Sequence, residues 1–152
     1  YLNKEQIKFS LNDCGRSLPN VFDGMKESHR KIMYAILLKK VKESIKVAQL
    51  AGYVAEKTNY HHGEQNLFET ITKLAQDFVG SNNIPYLVKD GQFGTRLAGG
   101  KDAANARYIF TKLSSITRLI FPEADDILLD YGILTNPGSQ IIETILINKG
   151  LI

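Results

Sequence analysis

Apolar positions recur at helical spacing through the first half of the chain and give way to short extended runs in the second. Ile32-Met33-Tyr34-Ala35-Ile36-Leu37-Leu38 follows the turn chemistry of Asp23-Gly24 and predicts a mostly buried helix, with Glu27 favouring its start by charge. Val47, Leu50, Ala51, Val54 and Ala55 fall at i, i+3, i+4, i+7 and i+8, the stripe of an amphipathic helix. After the link Asn59-Tyr60-His61-His62-Gly63 a second stripe runs through Leu67, Ile71, Leu74, Ala75 and Phe78, and Gly80 is placed to stop it. Ser81-Asn82-Asn83-Ile84-Pro85 is loop by composition, Tyr86-Leu87-Val88 a short strand, Asp90-Gly91 a turn. Tyr108-Ile109-Phe110 resumes an extended run, and Leu113, Ile116 and Ile120 mark a helix that Pro122 ends.

Two amphipathic helices joined by a short glycine-containing link fit a helix-turn-helix, and equally any helical hairpin. Helices followed by a looped β-hairpin describe a winged helix with residues 92–106 as the wing. The expected class is therefore α+β, mostly helical: a winged-helix domain over residues 1–121, with 122–152 either the start of a following domain or a divergent or truncated tail. In that last segment Asp125-Asp126 precedes Ile127-Leu128-Leu129, Asn136-Pro137-Gly138 reads as a turn, and Ile141 to Ile147 is β-prone. Residues 1–15 carry no assigned element, and Arg16-Ser17-Leu18-Pro19-Asn20 reads as extended or turn because Pro19 biases Leu18 away from helix.

Composition changes little in this picture. Apolar residues make up 43% and charged ones 23% of 152 residues, so a folded globular chain is expected. No apolar run is long enough to span a bilayer, no signal-peptide pattern opens the chain, and no membrane partner is expected. The chain opens without methionine, as a cut through a longer protein would. Cys14 is the only cysteine, which excludes an intrachain disulfide. Charge changes more. Residues 1–50 hold ten Lys/Arg against five Asp/Glu, whereas residues 51–152 hold nine against eleven. A basic front end suits an anionic partner, and nucleic acid is the commonest such polymer.

The chemistry concentrates in Gly91-Gln92-Phe93-Gly94-Thr95-Arg96-Leu97-Ala98-Gly99-Gly100-Lys101-Asp102 and the following Arg107-Tyr108. Glycines permit positive φ and close backbone approach, and arginine and lysine meet phosphate. Tyr108 could attack a phosphodiester and conserve the bond for resealing, or simply pack on a strand. Its ordinary pKa near 10 demands a base or a positive field, which Arg107 could supply, although neighbours on a strand face opposite ways. His61 and His62 could contact phosphate or shuttle a proton, or could cap a helix or hold a stray metal. His29 fits a phosphate contact or a surface position. Lys26, Arg30 and Lys31 would flank the first turns of their helix, gripping a backbone or merely solvated. No carboxylate cluster suits a catalytic magnesium.

Read together, Arg16-Ser-Leu-Pro19, Asp23-Gly-Met-Lys-Glu-Ser-His-Arg-Lys31, Val47-Ala-Gln-Leu-Ala-Gly52, Tyr60-His-His-Gly-Glu64, Phe78-Val-Gly-Ser-Asn-Asn83, Gly91-Gln-Phe-Gly-Thr-Arg96, Gly99-Gly-Lys-Asp102 and Arg107-Tyr-Ile-Phe-Thr111 resemble the DNA-gate region of type IIA DNA topoisomerases. Tyr60-His-His-Gly63 is more similar to the eukaryotic or large-DNA-virus form than to bacterial gyrase, which carries an extra proline there. The resemblance covers roughly residues 1–121 and implies a winged helix whose wing bears the cleaving tyrosine, here Tyr108, supported by Arg107. It implies that His62 assists acid/base chemistry or holds phosphate, and that Arg16 acts at the scissile region. Lys26, Arg30, Lys31 and His61 would contact double-stranded DNA, with Gln92 and Lys101 near the DNA and the inhibitor site. It further implies a two-fold homodimer leaving each tyrosine on a 5′ end, with ATP and magnesium bound by domains outside this chain. The implied location is the nucleus, or a cytoplasmic replication site for a viral enzyme. Glu27 departs from the family's usual proline, Ala104-Asn105-Ala106 stands where some members have proline, and Tyr131 to Ile152 does not resemble the usual lead-in to the tower domain. The rival function is a DNA-binding winged helix without catalysis; a third is a purely structural helical domain.

Overall fold

Three helices bury the stripes read from the sequence. The computed structural model describes residues 4–21 and 24–127. Asp23, Leu128-Leu129, the Asn136-Pro137-Gly138 turn and the Ile141–Ile147 run lie outside the described residues. In chain order come α1 (Glu5–Ser17), α2 (Glu27–Lys39), β1 (Ile45–Lys46), α3 (Val47–Thr58), α4 (Glu64–Ala75), β2 (Leu87–Asp90), β3 (Phe110–Leu113) and α5 (Ser115–Ile120), then a 3-10 turn, Glu123–Ile127.

Helices α2, α3 and α4 pack around Ile32, Ile36, Leu50, Val54, Leu67 and Ile71, each at most 1% exposed. Burying one such side chain contributes about 1.5–3 kcal/mol, so this cluster supplies the main drive for folding. Leu87, Phe93 and Ile109 close it from the sheet side. The sheet is antiparallel in the order β1-β3-β2, and Thr111 lies opposite both Ile45 and Lys89. Fully buried there, its hydroxyl donates to the Val88 carbonyl at 2.8 Å, which satisfies a polar group that burial would otherwise penalise. A smaller cluster of Met25, Met33, Leu37 and Phe121 ties α2 to the end of α5. The expected α+β architecture, a helix-turn-helix followed by a β wing, is what the chain adopts.

Several boundaries differ from the expectations, each for a local reason. Residues 5–17 form α1 although none of them is buried; the break comes at Leu18, with ψ 137 before Pro19, so Arg16 and Ser17 are helical rather than extended. Helix α4 ends at Ala75 rather than near Gly80, because the Gln76 side chain turns away to bond loop carbonyls. Strand β1, only two residues long, carries no periodic signal of its own. Leu113 belongs to β3 and not to the following helix. Asp125-Asp126 sits in the 3-10 turn rather than in a strand, and Asp126 accepts from Arg118 Nη1 at 2.8 Å.

Candidate functional site

The wing leaves β2 at Gly91 (φ 115), where a Cβ would meet Ile109 Cγ2 at 2.9 Å. At Gly94 (φ 93) the loop folds back on itself so tightly that a Cβ would lie 2.6 Å from the Gly100 carbonyl oxygen. Only glycine fits both the dihedral and the space. The Ala104 amide donates to Gln92 O at 2.9 Å and zips the two limbs together. Asp102 accepts from the Thr95 amide at 2.7 Å, from the Thr95 hydroxyl at 2.8 Å and from Gln92 Nε2 at 3.4 Å. These bonds, the Thr95 amide first, hold its carboxyl below the ordinary value of 3.8. Arg96, Leu97 and Lys101 are exposed on the same loop.

Arg107 and Tyr108 lie on a turn, not on a strand, so strand alternation does not separate them. The Tyr108 amide donates to Asn105 O at 2.9 Å, and the Arg107 amide to Asn105 Oδ1 at 3.0 Å. An asparagine side chain that imitates a backbone carbonyl in this way closes a tight local turn. The turn is sewn to α3: the Val47 and Ala48 amides donate to the Ile109 and Ala106 carbonyls at 3.0 and 3.1 Å. The first amides of a helix have no partner within it, so the wing satisfies α3 while α3 anchors the wing. Ala106 and Ile109 are buried on either side, whereas Tyr108 is 77% exposed. The result is a phenol presented to solvent on a fixed base, beside an exposed guanidinium.

A second cluster lines a cleft between the end of α1, the start of α2 and the outer face of α4. Arg16, Lys26, His29, His62, Asn66 and Lys73 are among its walls. Arg16 Nη1 lies 3.3 Å from His62 Nε2, and Arg16 Nη2 donates to Asp13 at 2.7 Å. A guanidinium only donates, so in this contact Arg16 can only be the donor. His62 sits edge-on to Tyr60, ring centroids 5.3 Å apart. The Tyr60 hydroxyl donates to Asn66 at 3.1 Å; burial, followed by Glu27, pushes its pKa up against the opposing pull of Arg16. His29 takes the Lys26 amide on Nδ1 at 3.3 Å and so closes the first turn of α2.

The sequence-predicted residues thus fall into separate sets. Tyr108 and Arg107 share one turn; Arg16, His62 and Lys26 share the cleft; Gln92 and Lys101 share the wing loop. Among the described residues no hydrogen bond or ring contact joins Tyr108 to Arg16 or His62. His61 is exposed on the link but is not one of the cleft's walls. Arg30 and Lys31 depart from the expectation of solvent-facing phosphate grips. Arg30 is 0% exposed, on the buried side of α2. Lys31 is paired with Glu27 at 2.7 Å and lies over the Tyr60 ring at 5.7 Å. His29, expected as a phosphate contact or a surface residue, lines the cleft, and so does Lys73, for which the sequence held no expectation. Lys73 follows Asn66 by seven residues on the polar face of α4, a spacing that could have flagged it. Among the described residues no group of three or more His, Cys, Asp or Glu side chains could hold a metal ion.

The family model for the A-subunit of DNA gyrase/topoisomerase IV matches residues 16–136. The chain belongs to that family. The match includes the cleft and the wing and continues past Phe121. The DNA topoisomerase 2 of Invertebrate iridescent virus 6 is 54% identical over 150 residues, which is 97% of this chain and 13% of that protein. The DNA topoisomerase 2 of Saccharomyces cerevisiae is 59% identical over 131 residues, 86% of this chain and 9% of that protein. This member of the gyrase/topoisomerase IV family therefore spans a small share of the relatives it matches. A solved structure of the Plasmodium falciparum topoisomerase II DNA-binding, cleavage and re-ligation domain superposes with a TM-score of 0.78. It is 55% identical and covers 84% of this chain and 18% of its own.

Proposed function

We propose that this chain is the DNA-gate segment of a type II DNA topoisomerase and that Tyr108 is its nucleophile. One observation carries the reading: an exposed tyrosine beside an exposed arginine, on a turn locked to the first amides of α3, in a chain of this family. The phenol oxygen bonds to a backbone phosphorus as the bond from phosphorus to the 3′ oxygen breaks. The phenol's proton passes to a base and the departing 3′ oxygen takes one up, leaving a 3′ hydroxyl and a 5′ phosphotyrosyl link. The link is a phosphodiester like the one it replaces, so resealing is the same step reversed. Arg107 stabilises charge on the non-bridging oxygens.

Arg16 and His62 hold or relay charge along the backbone within the cleft, with Lys26 beside them. His61, Gln92 and Lys101 extend the DNA surface, whereas Arg30 and Lys31 form the frame behind it. The working unit in this reading is a two-fold dimer on duplex DNA, each Tyr108 cutting one strand. Magnesium does not fit the described donor set, so no step here runs through it. We assign magnesium and ATP to parts of the enzyme outside this chain, working in the nucleus or at a viral replication site.

The test uses the full-length protein with supercoiled DNA, magnesium and ATP, quenched with detergent. Protein-linked breaks are expected, lost in Tyr108→Phe while DNA binding persists. A Tyr108→Phe protein that relaxes DNA at the wild-type rate would sink the reading.

A further inference from the structure

The Gln76 side chain, 3% exposed, spends its amide donors on the wing. Its Nε2 donates to Phe93 O at 2.7 Å and to Gly100 O at 3.3 Å, carbonyls on opposite limbs of the loop. Its Oε1 accepts from the Ser81 hydroxyl, which orients the amide. An amide has two N–H donors and one carbonyl, so no other side chain of this length makes all three bonds. The space around it is cut to match. A Cβ on Gly100 would lie 2.5 Å from Gln76 Nε2, and one on Gly94 would strike Gly100 itself. The amide is also fixed at its root, because the Gln76 backbone N–H closes the last turn of α4 on Thr72 O at 3.1 Å.

Helix α4 begins next to His62, presents Asn66 and Lys73 to the cleft, and ends in this staple. The stapled limbs run through the Gln92–Ala104 bond to Asn105 and the Tyr108 turn. We propose that Gln76 is a positioning residue: it clamps the wing to α4 and so sets where Tyr108 stands relative to the cationic cleft. The inference rests on the proposed role of Tyr108. Removing the amide takes this donor from the buried Phe93 carbonyl and the part-buried Gly100 carbonyl and lets the limbs part. A displacement of about 1 Å at a nucleophile costs on the order of a hundredfold in rate.

The experiment uses the full-length protein and measures the rate of covalent adduct formation at saturating DNA, together with DNA affinity. Rates are normalised to the folded fraction from circular dichroism. Gln76→Met keeps length and apolar bulk and should lower the adduct rate roughly a hundredfold while affinity stays within about threefold. Ser81→Ala keeps both donors but loses their orientation, and should lower the rate in the same direction by less. Gln76→Glu should be slow at neutral pH and recover as pH falls, since the protonated acid regains one donor for Phe93 O. Wild-type normalised rates in both Gln76→Met and Ser81→Ala would overturn the inference. So would a loss in Gln76→Met that falls only in proportion to the folded fraction, or an equal loss of affinity. A wild-type protein that forms no adduct would instead overturn the reading of Tyr108, and this inference with it.

Discussion

Arg16 Nη1 meets His62 Nε2 at 3.3 Å, across 46 residues of sequence. Helix α1 buries no residue in the core, so this polar contact does much to fix where its C-terminal end lies. Arg16 also holds Asp13, and the guanidinium with its hydrogen bonds keeps that exposed carboxyl below its ordinary value. The link between the two core helices thereby gains a cation that the helix pair alone does not provide.

If that cation faces phosphate, its removal shows in salt dependence. Arg16→Ala and Lys26→Ala should each reduce the slope of log affinity against log salt by about 0.9 for duplex DNA. Fluorescence anisotropy across a salt series checks this. Unchanged slopes in both would remove the cleft from the DNA surface.

Lys31 should behave in the opposite way. Its side chain and that of Glu27 are only 10% and 16% exposed, so Lys31→Ala strands a nearly buried carboxylate. A loss of about 1–3 kcal/mol in stability is expected, with the salt slope intact. Urea unfolding and the same anisotropy series separate the two effects.

Gly94→Ala combines a positive φ with a backbone clash that no side chain can move aside. It should cost about 1–3 kcal/mol or more, seen as a lower urea midpoint. A midpoint unchanged from wild type would mean the loop does not fold back on Gly100.

The Asp102 latch has a definite pH window. Its carboxyl is lowered in the folded state, so its contribution is fully present above the ordinary value of 3.8 and is lost as pH falls through the lower folded value. Protection of the Thr95 amide from hydrogen exchange should therefore be set by the latch from pH 5 to 8, once the intrinsic rate is divided out. Loss of protection between pH 8 and 5 would contradict it. Asp102→Asn should weaken protection throughout.

The parts of the fold that follow from periodicity were legible. The Val47–Ala55 and Leu67–Ala75 stripes lie where helical spacing puts them, because both face one continuous core. Gly91 and Gly94 marked the wing because the backbone there takes dihedrals other residues avoid. What escaped depends on distant partners. Helix α4 stops at Ala75 because Gln76 bonds carbonyls 17 and 24 residues further along. The Tyr108 turn depends on the Asn105 side chain, and α1 presents Ile7, Phe9 and Leu11 to solvent, where no core stripe betrays it. Arg30 reads as a surface cation in any charge count, yet tertiary packing encloses it.

Residue-level mapping of the covalent DNA adduct decides whether Tyr108 is the nucleophile. Full-length protein trapped on DNA, digested and sequenced by mass spectrometry should yield one modified peptide, with a 5′ nucleotide phosphate on Tyr108. A modification on any other residue, or an adduct of undiminished yield from Tyr108→Phe, would contradict the assignment.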